Sequence, residues 1–488
     1  MHESVPDSPA RVTVGQERTS KMPWAGVLSC FTAFSAMIAN VWVYKSLQPI
    51  LVNGIVYCIG YAAVWITGIG GKPGRRLYPF LFSIYWFISA LTAVFDLRFA
   101  DPMHPGNSDA LYFFTVTTDS RYDGMSLAET WSAINDEDAG AMLPWLKAYQ
   151  LLAYCGFGKG RYVGIAINVA FVALASVVGL SMVRTIFGDD SPRLRRYAVL
   201  CSSCGMFWLF ASIHIRDASI LFAVSLLTLC WVRYLEYRRT RDALLLIVAT
   251  AAAFFSFGSL RREFIFVPLA MLVAGAAAIW FTAKSRTFGL LVLSAAVASI
   301  AIAVNLDWRP TEAFKATMAE GQESYSKLSS SESDSTSLGN RLVVGQPAVI
   351  RTILGTAYLF VAPVPFWAGF RQPSSYHVLK SLNAFFMYVI MPLLILAVLR
   401  LVQRQRLRRA SLIFLAFVVS GFALSVAYTS LESRHLAAFF VPLLVFLLVP
   451  DLTVAKEKRN YGLLLGGYLL AIFLGHLAWA VLKGSGGA

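Results

Sequence analysis

The feature that most constrains the fold is a series of long apolar runs in which apolar and polar residues do not alternate. Hydrophobic residues make up 57% of the 488 residues and charged residues 14%, and the mean hydropathy is +0.62. A soluble chain of this length could not bury so much apolar surface. Continuous apolar runs form transmembrane helices rather than barrel strands. The sequence therefore predicts an all-α polytopic membrane protein.

About 20 apolar residues are needed for each crossing, and on that basis the chain contains about thirteen predicted spans. They cover residues 24–44, 50–70, 78–97, 162–183, 197–213, 218–235, 243–259, 263–283, 287–306, 380–400, 410–428, 436–450 and 461–482. With this count, six basic clusters fall on one side of the membrane: 71–76, 191–196, 236–241, 283–286, 404–409 and 455–459. Excess Lys and Arg in short loops marks the cytoplasmic side. The formal net charge of +15 is thus assigned to topology and not to nucleic-acid binding.

This topology predicts two large outer loops and divides the chain into five parts. They are a cytoplasmic tail (1–23), two extra N-terminal spans (24–77), a membrane core that includes the outer loop 96–161 (78–306), a second outer loop (307–379) and C-terminal spans (380–488). The expected location is a bacterial plasma membrane, with the outer loops in the periplasm.

The second outer loop contains two distinct segments. The serine-rich composition of 324–340 predicts a mobile segment, either a linker or a lid over a site. Residues 352–367 are apolar but contain Pro363 and Pro365, which disfavour a straight crossing. We expect that stretch to be interfacial or re-entrant.

The first outer loop differs in charge from the rest of the chain. Residues 96–161 contain nine acidic and five basic residues, opposite in sign to the whole protein. The apolar side chains of 112–114, Trp131, Met142, Leu143 and Trp145 predict short amphipathic helices that pack on the membrane surface, and not a flexible tether.

Three predicted outer hairpins each place an arginine beside an acid or a histidine. They are HIRD (214–217), SLRREF (259–264) and ESRH (432–435). Arginine is disfavoured on the outer side, and guanidinium binds phosphate in a planar fork. We therefore expect a phosphate or pyrophosphate on a lipid carrier to contact residues from these hairpins, namely Arg216, Asp217, Arg261, Arg262, Arg434 and His435. The alternative is that these charges only anchor helix ends at the lipid boundary.

Asp109 is the candidate general base of a transfer reaction at this surface. It lies among small residues and precedes LYFF, an aromatic run suited to a membrane-surface helix or to stacking on a sugar, so Tyr112 is a candidate substrate contact. A base of this kind takes the proton of an attacking hydroxyl while positive charge stabilises the leaving phosphate. Alternatively, Asp109 only caps a helix that starts at Ala110.

These elements resemble the integral-membrane glycosyltransferases of the GT-C superfamily. The resemblance covers roughly 78–283 and 430–450, and two spans precede its first core span. It rests on a D-x-x-Y element (109–112), a Pro-Trp element, a span that begins after FGKGR (157–161), HIRDASILFAVSLL (214–227), SLRREFIFVPLAML (259–272) and SRHLAAFFVPLLVFLL (433–448). The paired Asp-Glu of some members is absent, because Ala110 follows Asp109.

The resemblance implies an inverting transfer of a sugar from a polyprenyl-phosphate carrier to a glycan or lipid acceptor of the cell envelope. Asp109 would be the base, and Arg216, Arg261, Arg262 and Arg434 would contact phosphate or acceptor. Metal dependence varies within that superfamily, so no cofactor is certain and a divalent metal stays open.

Two other functions are compatible with the sequence. An O-antigen or exopolysaccharide polymerase or ligase would use outer arginines on a polyprenyl-pyrophosphate-linked glycan, and the late loop 307–379 fits that class. A transporter or flippase of lipid-linked sugars would place ionisable residues at mid-membrane and show symmetry between its halves. Here the ionisable residues gather at the predicted outer surface.

Overall fold

A computed structural model describes residues 23–99, 108–136, 139–260, 264, 266–282, 294, 343, 346–361, 366–371, 374–403, 409–429 and 433–485. Within these residues the fold is all-α and contains no strand. Eight of the described helices are long and apolar enough to cross a membrane. The prediction of an all-helical membrane protein is confirmed.

The helices are numbered here in chain order. They are α1 (Pro23–Tyr44), α2 (Gln48–Thr67), α3 (Gly71–Phe99), α4 (Ser108–Thr118), α5 (Leu127–Asp136), α6 (Leu143–Tyr154), α7 (Arg161–Phe187), α8 (Ser191–Ser203), α9 (Gly205–Ser212), α10 (Asp217–Tyr237), α11 (Thr240–Leu260), α12 (Val267–Thr282), α13 (Ala348–Val361), α14 (Ser375–Gln403), α15 (Ala410–Thr429), α16 (Ser433–Leu436), α17 (Phe440–Phe446) and α18 (Ala455–Ser485). Short 3-10 helices lie at Ser120–Tyr122, Gly140–Met142, Phe366–Arg371 and Ala437–Phe439.

Helix α7 forms the centre of the bundle. Twenty of its 27 residues are buried, and it packs against α2, α3, α9 and α10. Small residues permit this close packing, as in other membrane helices. At Gly179, for example, a Cβ atom would lie 1.8 Å from the hydroxyl of Tyr197.

Basic residues from distant parts of the chain meet at one end of the bundle. Arg184 donates to the carbonyl of Gly70 at 2.9 Å. Arg196 donates to the carbonyl of Pro450 at 2.7 Å, and Arg409 donates to that of Ile186. These contacts place the loops that follow α2, α7 and α17, together with the start of α15, at the same end, which we call the basic end. The opposite end, which carries Asp96, α4–α6 and the 213–216 turn, is called the loop end.

The predicted short helices of the first large loop are present as α4, α5 and α6. A reciprocal pair of hydrogen bonds between Ser126 and Glu129 caps the start of α5, with backbone nitrogens as donors at 2.8 and 3.3 Å. Trp145, buried on α6, donates from its indole to the side-chain oxygen of Asn168 on α7 at 2.8 Å. The loop is therefore docked into the bundle through its own small core, which includes Tyr122 and Met142.

The predicted span 197–213 is not one helix. The backbone of Cys204 is extended, which separates α8 from α9. At this break α14 comes so close that a Cβ on Gly205 would lie 2.6 Å from the backbone of Asn383. The side chain of Asn383 accepts a hydrogen bond from the backbone nitrogen of Met206 at 3.0 Å. A side-chain acceptor thus satisfies a backbone group that the break exposes.

The other predicted spans have mixed outcomes. Residues 436–450 do not form a single helix. They form short helical pieces that are followed by a turn. Residues 243–259 lie in α11, and 263–283 correspond to the 16-residue α12. The segment predicted to be interfacial begins with α13, which packs on α15. Apart from residue 294, the predicted span 287–306 lies outside the described residues, as do 324–340, Pro363 and Pro365.

Candidate functional site

The loop end contains an ion pair between the candidate base and one of the predicted arginines. Asp109 lies in the first turn of α4, and Arg434 lies in α16. The Nη2 atom of Arg434 donates to Oδ2 of Asp109 at 2.7 Å, although 325 positions separate the two residues. The carboxylate side chain is 46% exposed and the arginine side chain 13%. The site thus combines an accessible carboxylate with a largely buried guanidinium that is hydrogen-bonded to it.

A second predicted arginine lies one helical turn away. The guanidinium carbon of Arg216 lies 5.1 Å from the ring centroid of Phe113, which is cation–π geometry. Asp109 and Phe113 are four residues apart on α4 and therefore share a face of that helix. Tyr112, beside them, is exposed. Arg434 and Arg216 thus both contact α4, Arg434 at the half-exposed Asp109 and Arg216 at the buried ring of Phe113 one turn further along.

A buried ion pair lies at the same end of the bundle. Asp96 near the end of α3 is 0% exposed, and its carboxylate lies 3.7 Å from Nη2 of Arg161, the first residue of α7. The carboxylate also accepts hydrogen bonds from the backbone nitrogen and the hydroxyl of Ser375, at 3.3 and 3.0 Å. These contacts tie the ends of α3, α7 and α14 together.

Arg161 also connects this pair to the 213–216 turn. Its Nη2 atom donates to the carbonyl of Ser212 at 3.4 Å. Asn168 on α7 donates to the carbonyls of Ile213 and Ile215, at 2.6 and 3.2 Å. Because the turn carries Arg216, the buried residues position a residue of the exposed site.

His214 packs in the centre of the same turn. Its ring contacts those of Phe114 and Tyr149, with centroids 5.9 and 6.0 Å apart. It also lies so close to Gly164 that a Cβ there would be 1.7 Å from a ring carbon. Burial, and to a smaller extent the positive charge of Arg161, lower the pKa of His214 to about 3. The imidazole is therefore neutral at physiological pH and is not available as a charged phosphate contact.

Several buried polar atoms around Arg161 have no hydrogen-bond partner among the described residues. They are Nε and Nη1 of Arg161, Oγ of Ser212 and both ring nitrogens of His214. Each such group costs free energy. Ionisable groups inside membrane proteins commonly mark functional regions. This cluster is therefore a candidate part of the site and not merely a packing element.

The remaining predicted residues fall into two groups. Asp217 and His435 are among the residues that the structure describes. Asp217 is buried at the start of α10, where the positive end of the helix dipole favours a carboxylate, and His435 follows Arg434 in α16. Arg261 and Arg262 lie outside the described residues, as do Asp101, Glu263 and Glu432.

Other acidic residues of the loop have local partners. The side chain of Asp119 accepts from the backbone nitrogen of Arg121 at 2.9 Å. Asp123 pairs with Lys159 at 3.2 Å. Within the described ranges, no group of three or more His, Cys, Asp or Glu residues has the arrangement of a metal site.

The sequence-based prediction missed the role of Arg161, Asn168 and Ser375. Asp96 and Arg161 lie at the two ends of the loop, where an apolar span stops and the next one begins. Such flanking charges usually indicate lipid-boundary anchors, and their burial depends on how α3, α7 and α14 meet.

Comparison of the chain with protein-family models, with curated proteins and with solved structures finds no match.

Proposed function

We propose that this protein is a membrane glycosyltransferase of the GT-C type, which moves a sugar from a polyprenyl-phosphate carrier to a glycan or lipid acceptor. The observation that carries the proposal is the contact between Arg434 and the half-exposed carboxylate of Asp109. A carboxylate can accept a proton from an attacking hydroxyl, and a guanidinium can bind the phosphate that leaves. The pair brings together the two groups that such a transfer needs.

The proposed reaction is a single displacement at the anomeric carbon of the donor sugar. The acceptor hydroxyl attacks this carbon, and its proton passes to Asp109. The bond between the carbon and the phosphate oxygen breaks, and the electron pair leaves with the polyprenyl phosphate. Arg434 and Arg216 stabilise the charge that develops on that phosphate. Attack opposite to the leaving group inverts the configuration.

The proposed topology has thirteen crossings and two large outer loops, with the basic end in the cytoplasm. It is supported by the meeting of Arg184, Arg196 and Arg409 at one end of the bundle, since short basic loops stay on the cytoplasmic side. The loop end then faces the periplasm of a bacterial plasma membrane. There it meets a lipid-linked donor at headgroup depth.

The test compares Asp109→Asn with Asp123→Asn in sugar transfer. The two carboxylates lie in the same loop, each forms an ion pair, and their exposed fractions are 46% and 48%. Asp109→Asn keeps the side-chain shape but cannot take the proton, so activity should fall by about 10²–10⁴-fold. Asp123→Asn should retain activity, because it changes only a surface ion pair.

A charge swap separates catalysis from docking. If the pair only holds α16 against α4, Asp109→Arg/Arg434→Asp should restore both stability and activity. If Asp109 is the base, the swap should restore stability and leave the enzyme inactive. A fully active Asp109→Asn variant would overturn the base assignment and favour the polymerase or ligase function, which depends on arginines.

A further inference from the structure

A groove opens between α14 and α18, far from the candidate site. Its volume is about 380 Å³, and its walls include Leu396, Leu399 and Arg400 of α14 and Asn460, Leu463 and Leu464 of α18. On each helix these residues are spaced by three or four positions, so each set lies on one face. The groove therefore runs along the line where the two helices meet.

The groove is open to the surroundings of the bundle. Among the described helices α18 packs chiefly against α14, and Leu399 and Leu463 on either side of the groove are exposed. Both helices are long and apolar enough to cross a membrane. In a bilayer the leucine walls therefore face lipid, and a channel of this kind accommodates an acyl chain.

The basic end of the groove is built from polar side chains. Nε of Arg400 lies 3.0 Å from Oε1 of Glu457, and both side chains are largely buried. Nη1 of Arg400 donates to Oε1 of Gln403 at 3.1 Å. This network fixes a polar wall at one end of an otherwise apolar channel.

Exposed cations extend the α18 wall toward the basic end. Lys456 lies four residues before Asn460, and Arg459 lies four residues before Leu463, so each shares a face with a groove residue. Both are exposed, and Lys458 between them is exposed too. The positive charge is thus continuous with the groove.

The position of these cations within α18 is unfavourable for the helix alone. Lys456, Lys458 and Arg459 lie in the first turns of α18, where the helix dipole favours anions and disfavours cations. The first turn also contains Glu457, but its carboxylate is buried and paired with Arg400. Topology explains why basic residues lie on this side of the membrane, but it does not require them at a helix start beside a groove. A bound anion would offset the repulsion.

We propose that the groove binds an anionic phospholipid. One acyl chain lies along Leu396, Leu399, Leu463 and Leu464, and the phosphate lies between Lys456 and Arg459. Charge complementarity selects this lipid over a zwitterionic one, since basic residues near a membrane surface attract anionic headgroups. The inference is independent of the proposed glycosyl transfer, because no residue of the loop end takes part.

The test measures lipid affinity of the purified full-length protein by native mass spectrometry. Phosphatidylglycerol and phosphatidylcholine with the same acyl chains are the probes. Each basic residue near an anionic lipid contributes about 1 kcal/mol. Lys456→Gln/Arg459→Gln should therefore weaken phosphatidylglycerol binding by roughly 30-fold and leave phosphatidylcholine binding unchanged. The control Lys72→Gln/Arg241→Gln removes two exposed basic residues elsewhere at the basic end and should bind like the wild type.

A second variant tests the acyl-chain channel. Leu399→Trp should fill the channel while it keeps every charge, and should also weaken phosphatidylglycerol binding by at least 10-fold. Equal affinity of the wild type for the two lipids would overturn the proposal. So would equal losses in the groove and control double variants, which would indicate attraction to the whole basic surface.

Discussion

Replacement of Asp96 by asparagine tests whether the buried ion pair holds the loop end together. Asp96→Asn keeps the shape of the side chain and an oxygen that can accept from Ser375. It removes the charge that faces Arg161, which is 3% exposed. The variant thus leaves a guanidinium buried without its counter-charge.

The expected loss of stability depends on the burial of the ion pair and not on the distance between its two charges. Removal of one partner of a buried pair costs about 3–5 kcal/mol, because the other charge stays buried and uncompensated. The control is Asp189→Asn. Asp189 pairs with Arg184 at 2.6 Å, closer than the 3.7 Å of the buried pair, but its side chain is 69% exposed. An exposed pair contributes about 1 kcal/mol or less, so the control should be nearly silent despite its shorter contact.

The assay is equilibrium unfolding in mixed micelles, with each variant compared with the wild type. Asp96→Asn should lower the free energy of unfolding by several times more than Asp189→Asn. The double variant Asp96→Asn/Arg161→Met removes both charges and should recover part of the loss, because the orphaned guanidinium is gone. Equal effects of Asp96→Asn and Asp189→Asn would show that the buried pair does not stabilise the loop end.

Three further predictions concern packing, pH and topology. Gly164→Ala would place a Cβ 1.7 Å from the ring of His214 and should destabilise by about 1–3 kcal/mol in the same unfolding assay, whereas Gly54→Ala, with open space around it, should not. His214 has a pKa of about 3 in the folded protein and about 6.5 when unfolded, so its contribution to stability is complete above pH 6.5 and declines as the pH falls toward 3. By pH 5 the loss in the free energy of unfolding should be about 2 kcal/mol. The decrease in this free energy between pH 7 and pH 5 should therefore be smaller by that amount in His214→Asn than in the wild type. Identical pH profiles of the two proteins would contradict a buried, neutral His214. In intact cells, single cysteines at positions 109 and 333 should react with an impermeant reagent and those at 196, 238 and 406 should not; external labelling of position 406 would exclude the thirteen-span topology.

The sequence predicted those features that depend on local patterns. Long apolar runs specify helices wherever backbone groups must be satisfied within the segment. The short helices of the first large loop follow from its apolar spacing and from local caps such as Ser126 and Glu129. The structure places Arg216 on the ring of Phe113 in α4, and the shared substrate surface of the separate hairpins stays a prediction.

Features that depend on helix packing were not predictable. The break at Cys204 occurs where α14 crosses Gly205, and a residue 177 positions away satisfies the free backbone nitrogen. The pairing of Asp109 with Arg434 and that of Asp96 with Arg161 likewise join distant segments. A single sequence contains the charges but does not specify which of them become neighbours.

The most direct test of the central claim is to locate the donor phosphate on the protein. A photoreactive polyprenyl-phosphate monosaccharide, with the reactive group beside the phosphate, is cross-linked to the full-length protein, and the modified peptides are identified by mass spectrometry. If the loop end binds the donor phosphate, cross-links should form in 108–118, 213–217 and 433–436. Labelling should decrease strongly in Arg434→Gln and should not change in the control Arg184→Gln. Cross-links confined to the basic end, or labelling that Arg434→Gln does not change, would contradict donor binding at the loop end.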